Sequence, residues 1–403
     1  MAEQLITPLQ DLAARPQERL TPQQAVDALC QDLVRDAVAR DRVGGVPLAA
    51  RQWIRDTGLL GLSVPTPWGG TGWSWSAISP LVRQVARVDS SVAHLLSYHY
   101  LGLTIPVIFG DAAGTEDLLR RTASEQLFWC NALNPRDRRS HLRAEGPAYR
   151  LDGLKSFCSG SHDSDVIPTT AVLESTGELV IVILPTRTPG VELLDDWDAI
   201  GQRQTSSGTV RFEQVAVQPE QIFYPSRQGS SAFSSARTLL AQLNLANIYL
   251  GLAEGALQAA VDQVRERQAA APDQPKDPTQ AVLARDRFAQ LWVQLQGASA
   301  HYERALTELE AAWQQGRALT AEQRGSTAIT IATTKVLATE AALAISSAIF
   351  DRLGARSTGA SHGLDRYWRN IRTLSLHDPV EAKLQEIGAF VIEGSAPTPG
   401  FYS

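Results

Sequence analysis

The sequence predicts a mainly helical α+β fold in which helical segments flank a small β domain. Apolar residues recur at helical spacing over residues 22–61 and 78–109. Short alternating or β-branched runs, bounded by Gly, Pro and Asp, replace that pattern over residues 128–217. Helical spacing returns after about residue 226 and continues for the rest of the chain. Because the two classes of element follow one another in blocks, the order indicates an α+β fold and not a parallel α/β sheet.

The boundaries of these blocks predict three domains, at residues 1–126, 127–226 and 227–403. A Gly- and Trp-rich stretch at residues 65–75 predicts a loop between the first helices. The predicted strands lie at residues 149–153, 179–184, 190–193 and 208–212. The predicted C-terminal helices lie near residues 236–270, 279–315, 321–353 and 364–393, and Pro272, Pro275 and Pro278 separate the first two.

The composition is that of an ordinary globular protein. Of 403 residues, 44% are hydrophobic and 20% are charged, which excludes intrinsic disorder for most of the chain. The formal net charge of -6 argues against nucleic acid as a partner. Cys30, Cys130 and Cys158 form no CxxC pair and no disulfide framework, so we expect a reducing, cytoplasmic location. The N-terminus lacks the pattern of a signal peptide, and we expect no membrane-spanning segment.

Several well-known catalytic motifs are absent from the sequence. There is no GxGxxG after a predicted strand, no GxxxxGK[ST], no HExxH and no GxSxG. Nucleotide-dependent kinases, zinc proteases and α/β-hydrolases are therefore disfavoured. Among the seven histidines only His94 and His99 are close together, and their spacing of five does not place two imidazoles on one helical face. The sequence predicts no metal site.

Three polar segments adjoin predicted strands or helices, at residues 128–135, 155–165 and 374–379. Taken singly, the first two are typical of turns capped by Asn, Ser and Asp. The third predicts a helix that is capped by Asp378 and has Pro379 at its first position. Each segment by itself therefore has an ordinary structural interpretation.

Taken in order, the segments resemble a known family. The strings GLKSFCSGSHDSD at 153–165, DWDAIGQRQTSSGTVRFEQVAV at 196–217 and RDRF at 285–288 resemble the acyl-CoA dehydrogenase flavoproteins. The resemblance covers nearly the whole chain. It implies an N-terminal helical domain, a middle β-barrel domain and a C-terminal four-helix bundle. Within that fold, the strings AHLLSYH at 93–99, RYWRNIRTLSLHDPV at 366–380 and PTPGFYS at 397–403 resemble the dibenzothiophene monooxygenase group of flavin monooxygenases.

The position of the catalytic base separates dehydrogenases from monooxygenases of this fold. The dehydrogenases carry a glutamate in a Tyr-Glu-Gly-Thr string, and this chain has Asp378 at that place, followed by Pro379. The resemblance therefore implies a monooxygenase that uses reduced FMN. An FAD-dependent acyl-CoA dehydrogenase with its base on another helix is the alternative, and an adaptor without catalytic activity is a third interpretation.

The resemblance also implies a chemistry and its site residues. A flavin C4a-hydroperoxide would transfer one oxygen to a small organosulfur compound, or to a related aromatic or heteroatom substrate. Residues His94, Tyr98 and His377 would handle protons, Ser159 would bind near flavin N5, and Asn131 would touch the peroxide or the substrate. Phe157 and Trp197 match the flavin site. Core packing alone is the other interpretation of His94, Tyr98 and Trp197, and His99 is expected to be structural.

Phosphate binding must come from side chains, because the sequence has no Gly-rich phosphate loop. The residues that match the family's phosphate site are Arg285, Arg356 and Ser357. Two guanidinium groups suit a terminal dianionic phosphate, which favours FMN over FAD. The family implies a homotetramer in which Arg285 reaches a neighbour's flavin, and a separate NAD(P)H-dependent flavin reductase as functional partner. The loop after Asn131 and the residue Leu374 depart from the family pattern, so the substrate stays open.

Overall fold

The computed structural model describes residues 20–110, 112–225, 231–270, 278–400 and 403. Its N-terminal part contains the helices α1 (Pro22–Val43), α2 (Leu48–Asp56), α3 (Trp75–Val88), α4 (Ser90–Phe109) and α5 (Ala112–Glu125). The middle part contains the strands β1 (His141–Glu145), β2 (Ala148–Lys155), β3 (Val166–Leu173), β4 (Leu179–Pro185), β5 (Val191–Leu193), β6 (Val210–Val217) and β7 (Ile222–Phe223). The C-terminal part contains the helices α6 (Ala232–Ala270), α7 (Pro278–Gln315), α8 (Ala321–Leu353), α9 (Asp365–Ser375) and α10 (Val380–Glu393). The predicted order of helices, sheet and helices is confirmed.

The helical pattern predicted at residues 78–109 forms two helices instead of one. Asp89 lies between α3 and α4, and its carboxylate accepts hydrogen bonds from the backbone N–H groups of Ser91 (3.0 Å) and Val92 (3.1 Å). These bonds satisfy two of the N–H groups that a helix start leaves without intrahelical partners. The break therefore starts α4 at a fixed position, four residues before His94.

The middle part is one seven-stranded sheet in the order β5-β6-β2-β1-β3-β4-β7. Strands β1 and β3 pair in parallel, and the other pairs are antiparallel. Apolar side chains of alternating positions, among them Leu142, Leu151 and Val182, form a core of their own. Two backbone bridges extend this sheet toward the site segments: Asn131 pairs with Ser159, and Ala132 pairs with Thr169.

The C-terminal part packs three long helices, α6, α7 and α8, against α3, α4 and two shorter helices. Its core is continuous with that of the N-terminal helices. The segment predicted as one helix near residues 364–393 is divided between α9 and α10. The break at residues 376–379 takes His377 out of the helical ladder and leaves it at the end of α9.

Two of the described helices, α4 and α8, are long and apolar enough to cross a membrane by length and composition. In α4, 94% of the apolar window is buried inside the fold, and in α8 67% is buried. Such burial is typical of the core helices of a water-soluble protein, because their apolar side chains face other protein groups.

Two contacts join the three parts around the site. Arg51 of α2 donates hydrogen bonds to the carbonyls of Gly160 (3.2 Å), His162 (2.8 Å) and Asp163 (2.7 Å), and so holds the loop after Ser159. Gly201 lies so close to α9 that a Cβ atom there would be 2.2 Å from the carbonyl oxygen of Arg369. Only glycine allows this approach of the middle part to α9.

Candidate active site

A cleft of about 1500 Å³ opens between α4, α6, the end of α9 and the loops of the middle sheet. It is larger than the roughly 300–1,000 Å³ that is usual for a pocket holding one small ligand. Seven of the predicted site residues line it: His94, Tyr98, Asn131, Phe157, Ser159, Trp197 and His377. The structure therefore brings together residues that lie up to 283 positions apart in the chain. A site of this size has room for a flavin ring system beside a small substrate.

His94, Tyr98 and His377 form one contiguous cluster in the cleft. The rings of His94 and Tyr98 stack with their centroids 4.2 Å apart and their planes at 6°. The stacking follows from their spacing of four on α4. The Tyr98 hydroxyl lies 3.4 Å from Nε2 of His377, which follows the end of α9. The arrangement links a phenol to two imidazoles, which are groups that hold and transfer protons.

Both imidazoles of this cluster are neutral near pH 7. Burial lowers the pKa of His94 to about 3, and the neighbouring His377 lowers it further. Burial also lowers the pKa of His377 to about 4, with a smaller contribution from the positive charge of Lys335. Both ring nitrogens of His94 are enclosed and have no hydrogen-bond partner among the described residues. A buried imidazole without partners is costly, and a ligand in the cleft would satisfy it.

His99 differs from His94 although the two are near each other in sequence. Its Nδ1 accepts a hydrogen bond from the backbone N–H of Trp129 (3.2 Å), and its Nε2 lies 2.9 Å from the carbonyl oxygen of Leu60. A ring that accepts at Nδ1 and donates at Nε2 is a satisfied, neutral core histidine. The expected structural role of His99 is confirmed.

A chain of hydroxyl groups lies at the floor of the cleft. The Oγ of Ser159 is 2.8 Å from the Oγ of Ser207, which is 2.7 Å from the hydroxyl of Thr205. Thr205 in turn donates to the carbonyl of Gln202 (2.8 Å). The backbone N–H of Asn131 donates to the carbonyl of Ser159 (2.9 Å). This backbone hydrogen bond holds the two predicted polar residues side by side. A hydroxyl chain of this kind presents donors and acceptors to a polar ring edge.

Phe157 and Trp197 flank this floor. Their ring centroids are 6.3 Å apart at 80°, and Phe157 is 63% exposed. Phe157 also has a φ of 61°, which is strained for a residue with a Cβ atom. Backbone strain of this kind occurs most often at ligand sites. The Nε1 of Trp197 donates to the carbonyl of Gln202 (2.9 Å), so that its ring is held by the loop that carries the hydroxyl chain.

Asp378 has a different role from the predicted helix cap. The helix α10 starts after Pro379 and has no side-chain cap, so Asp378 is not its N-cap and Pro379 is not its first residue. Instead the Asp378 carboxylate lies 2.8 Å from Nζ of Lys335 on α8, and both side chains are buried. Lys335 also donates to Oε1 of Gln242 (2.6 Å). The prediction was wrong because the tertiary partner on α8 satisfies the carboxylate more fully than a helix end would.

The three residues that match the family's phosphate site lie outside this cleft. Arg285 on α7 and Arg356, in the turn after α8, are exposed. Ser357 is buried, and its hydroxyl donates to the carbonyl of Gly354 (2.7 Å) within its own turn. An ion pair between Arg287 and Asp351 (3.7 Å) joins the start of α7 to the end of α8, and so places Arg285 and Arg356 at the same end of the bundle. Phosphate binding by these three residues, with Arg285 reaching a neighbouring subunit's flavin, stays a prediction.

The structure adds residues that the sequence interpretation missed. Thr205, Ser207, Arg237 and Gln242 line the cleft, and Lys335 lies behind it. One signal was available: Arg237 is the only charged residue between positions 231 and 253 of the sequence. An isolated charge on a buried helix indicates a partner or a ligand.

The cleft residues fit an FMN ring system. The unpartnered nitrogens of His94, the hydroxyl chain from Ser159 and the aromatic pair Phe157 and Trp197 provide polar and apolar contacts for a planar heterocycle. Among the described residues no group of three or more His, Cys, Asp or Glu side chains could hold a metal ion. The fold and cleft define a flavin-binding oxidoreductase of the acyl-CoA dehydrogenase type.

Comparison with known proteins agrees with this class. The N-terminal, middle and C-terminal domains of acyl-CoA dehydrogenases match residues 16–126, 134–215 and 243–381. A probable FMNH2-dependent monooxygenase, SfnC of Pseudomonas putida, is 39% identical over 95% of this chain and 98% of its own length. Dibenzothiophene monooxygenase of Rhodococcus erythropolis is 38% identical over 91% of this chain and 92% of its own.

Solved structures give the same result. Methanesulfinate monooxygenase of Pseudomonas fluorescens is 40% identical, with a TM-score of 0.88 over 95% of this chain and 100% of its own. The FMN-bound dibenzothiophene monooxygenase of Paenibacillus is 30% identical, with a TM-score of 0.88 over 95% of this chain and 100% of its own. The chain belongs to the acyl-CoA dehydrogenase family, in the group that contains these flavin monooxygenases.

Proposed function

We propose that this protein is an FMNH2-dependent monooxygenase of a two-component system that oxygenates a small organosulfur compound. The relatives reported above match nearly its whole length and carry monooxygenase names, and FMN is bound in one of the solved structures. The cleft supports the proposal, because seven residues that the sequence assigns to such a site line one cavity. When FMN is bound and reduced, it supplies the electrons that activate O2.

The ion pair between Asp378 and Lys335 is the observation that favours a monooxygenase over an FAD-dependent acyl-CoA dehydrogenase. An acyl-CoA dehydrogenase needs a carboxylate base that faces the substrate. The one carboxylate at the expected position, Asp378, is 2% exposed and held by Lys335 at 2.8 Å. The helices that line the described cleft contribute no other carboxylate to it. The other carboxylates that line the cleft, Glu178, Asp196 and Asp198, belong to the middle part and not to the helices. The position at which the dehydrogenases carry their base therefore holds no free carboxylate here.

We assign distinct roles to the cleft residues. Ser159 and Asn131 bind the polar edge of the flavin ring, and Phe157 and Trp197 contact its apolar surface. His94 and His377, both neutral near pH 7, bind a hydrogen-bonding group of the flavin or the substrate and hold a proton there, and Tyr98 connects the two. Apolar side chains, among them Leu101, Leu133 and Leu374, line the cleft beside these polar groups.

Assembly and cofactor supply complete the proposal. Large apolar side chains are exposed on α7 and α10: Val282, Leu283, Trp292, Val293, Leu384, Phe390, Val391 and Ile392. An exposed apolar surface of this extent supports association into the homotetramer that the family implies. In such a tetramer Arg285, beside Val282 and Leu283, would bind a neighbour's FMN phosphate together with Arg356 and Ser357. A separate NAD(P)H-dependent flavin reductase would supply the reduced FMN, in the cytoplasm.

The experiment that tests the function compares two cofactors and two reactions. The purified protein is mixed with FMN that has been reduced chemically, and O2 consumption is recorded with and without an organosulfur substrate. In parallel, the protein is loaded with FAD and titrated anaerobically with an acyl-CoA. We expect substrate-dependent O2 consumption with reduced FMN and no bleaching by acyl-CoA. Bleaching of bound FAD by acyl-CoA would replace this proposal with the dehydrogenase, and binding of neither flavin would support the adaptor.

A further inference from the structure

Gln242 is a polar residue of the cleft that the proposed reaction does not use. It lies on α6, lines the cavity and is only 3% exposed. Its Oε1 accepts a hydrogen bond from Nζ of Lys335 (2.6 Å), and Lys335 is also paired with Asp378 (2.8 Å). A buried ion pair therefore holds one end of this amide from behind the cleft.

The charge of Lys335 determines which way the amide of Gln242 faces. An ammonium group has three donors and no acceptor, so it binds only the oxygen end of a side-chain amide. The opposite orientation would bring two N–H groups against a positive charge. The Nε2 of Gln242, with its two donors, therefore points away from Lys335.

The two donors of Nε2 have no acceptor among the residues that the structure describes. The bond from Lys335 is the one side-chain hydrogen bond of Gln242 there, and Nε2 is accessible, unlike the enclosed nitrogens of His94. Asn247, further along α6, differs because it uses both ends of its amide. Its Oδ1 accepts from Arg83 (2.8 Å), and its Nδ2 donates to the carbonyl of Ser79 (2.7 Å). Since Gln242 is otherwise buried, its accessible donors face the cleft.

Gln242 lies on the helical side of the cleft, close to the end of α9. Lys335 joins it to Asp378, which follows His377 in the chain. The hydroxyl of Tyr249, also on α6, donates to the carbonyl of Leu374 (3.0 Å) and ties the same two helices together. The residues assigned to the flavin ring belong instead to the middle part. The position of Gln242 therefore favours the substrate as the partner of Nε2.

We propose that Gln242 is a specificity-determining residue whose Nε2 donates a hydrogen bond to an oxygen atom of the substrate, and that Lys335 and Asp378 position this donor. The inference rests on the proposed function and names a residue that selects its substrate. A substrate with an oxygen acceptor satisfies Nε2. An analogue without that oxygen leaves the donors unpaired, and a site built in this way discriminates against such an analogue.

The test compares two ligands that share a skeleton and differ by one oxygen atom, methyl phenyl sulfoxide and methyl phenyl sulfide. Their binding to the protein in the presence of oxidised FMN is measured by isothermal titration calorimetry, so that no turnover takes place. The variant Q242M removes the donors and nearly keeps the length of the side chain. We expect its affinity for the sulfoxide to fall about 10-fold, because one hydrogen bond is lost, while its affinity for the sulfide does not fall.

The matched control is Q258M, which makes the same substitution at an exposed position of α6. The Nε2 of Gln258 donates to the carboxylate of Asp262 (2.8 Å), away from the cleft. We expect Q258M to bind both ligands with the affinities of the wild-type protein.

A double variant tests the positioning role of the ion pair. Lys335→Met combined with Asp378→Asn removes both charges and allows the amide of Gln242 to turn. We expect the affinity for the sulfoxide to fall about threefold, because the oxygen end of the amide then faces the ligand in part of the molecules. The affinity for the sulfide should stay the same, whereas a general loosening of the cleft would lower both affinities equally.

Three results would overturn the inference. Sulfoxide binding that Q242M and Q258M retain equally, or an equal loss of both ligands in Q242M, would exclude Gln242 as the donor. A loss of FMN affinity in Q242M, measured by fluorescence titration, would assign the donor to the flavin. Wild-type sulfoxide affinity in the double variant would exclude Lys335 and Asp378 as positioning residues. By contrast, sulfoxide binding that depends on Gln242 without any O2 consumption in the presence of reduced FMN would uphold this donor and reject the proposed function.

Discussion

Lys335 and Asp378 form a buried ion pair directly behind the predicted proton-handling histidine. The Nζ of Lys335 lies 2.8 Å from Oδ2 of Asp378, with 0% and 2% of the two side chains exposed. His377 precedes Asp378, so the pair fixes the short segment between α9 and α10 that presents this imidazole to the cleft. Burial lowers the pKa of Lys335 to about 8, and the contact with Asp378 keeps it from falling further. The pair thus holds the residue that follows His377 in the chain.

The first prediction concerns this pair. The substitution Lys335→Met leaves the Asp378 carboxylate buried without its cation, and we expect the free energy of unfolding to fall by about 3–5 kcal/mol. Adding Asp378→Asn removes the unpaired charge, so the double variant should recover part of that loss. Urea unfolding monitored by circular dichroism measures both changes. If the single and double variants were equally stable, Asp378 would not be a charged partner of Lys335.

The second prediction concerns acid stability. In the folded protein burial lowers the pKa of His94 from 6.5 to about 3 and that of His99 from 6.5 to about 4. Between pH 6.5 and about 4 the unfolded chain therefore binds protons that the folded protein does not. The free energy of unfolding should fall with pH in this window, by up to about 1.4 kcal/mol per pH unit for each histidine.

His94→Phe provides the matched variant for acid stability, because phenylalanine keeps the stacking on Tyr98 and removes one titrating ring. Its free energy of unfolding should depend less steeply on pH, by about 1.4 kcal/mol per pH unit below pH 6.5. Urea unfolding at a series of pH values measures the slope. An unchanged slope in this variant would mean that His94 is protonated in the folded protein.

The third prediction concerns coupling of O2 consumption to product. His377→Ala and Ser159→Ala each remove one polar contact in the cleft and should keep the fold. With reduced FMN and substrate, we expect a several-fold rise in the ratio of H2O2 released to product formed, because the contacts that direct oxygen to the substrate are lost. Peroxidase-coupled detection and chromatography measure the two yields.

Two substitutions outside the cleft serve as controls for coupling. His141 is exposed on β1, and His141→Ala should leave the yields unchanged. The hydroxyl of Ser164 bonds to the carbonyl of Ser161 and to Thr186, both at 2.8 Å, so Ser164→Ala should lower stability without changing the yields. Equal coupling in His377→Ala, Ser159→Ala and these controls would refute the assigned roles.

The fourth prediction concerns the phosphate site. Arg285→Glu replaces an attractive charge near a dianion with a repulsive one, and we expect FMN affinity to fall by at least about 100-fold while the protein stays tetrameric. Arg304→Glu makes the same charge change elsewhere on α7, at a 66% exposed side chain, and should retain FMN. Fluorescence titration and light scattering measure the two properties. A monomer that binds FMN at full strength would contradict both parts of the prediction.

The sequence predicts those features that local spacing determines. The bounds of α8 agree with the predicted 321–353, because a long periodic helix with a Thr320 cap is locally specified. The break at Asp89 was missed because the apolar pattern continues on both sides of it. The partner of Asp378 and the place of Arg237 in the cleft were also missed, because each depends on which helices pack together and not on residues nearby in the chain. The resemblance located seven cleft residues, and the structure added Thr205, Ser207, Arg237 and Gln242.

The close approach of Gly201 to the Arg369 carbonyl has a consequence for protein engineering. Because no side chain fits at position 201, a substitution there cannot adjust the angle between the middle sheet and α9 unless the backbone of both segments moves. A mutant library designed to find new substrates should keep Gly201 and vary Leu101, Leu133 and Leu374. These three residues line the cleft with apolar side chains. Such a library changes the shape of the cavity and leaves the packing of the middle sheet against α9 unchanged.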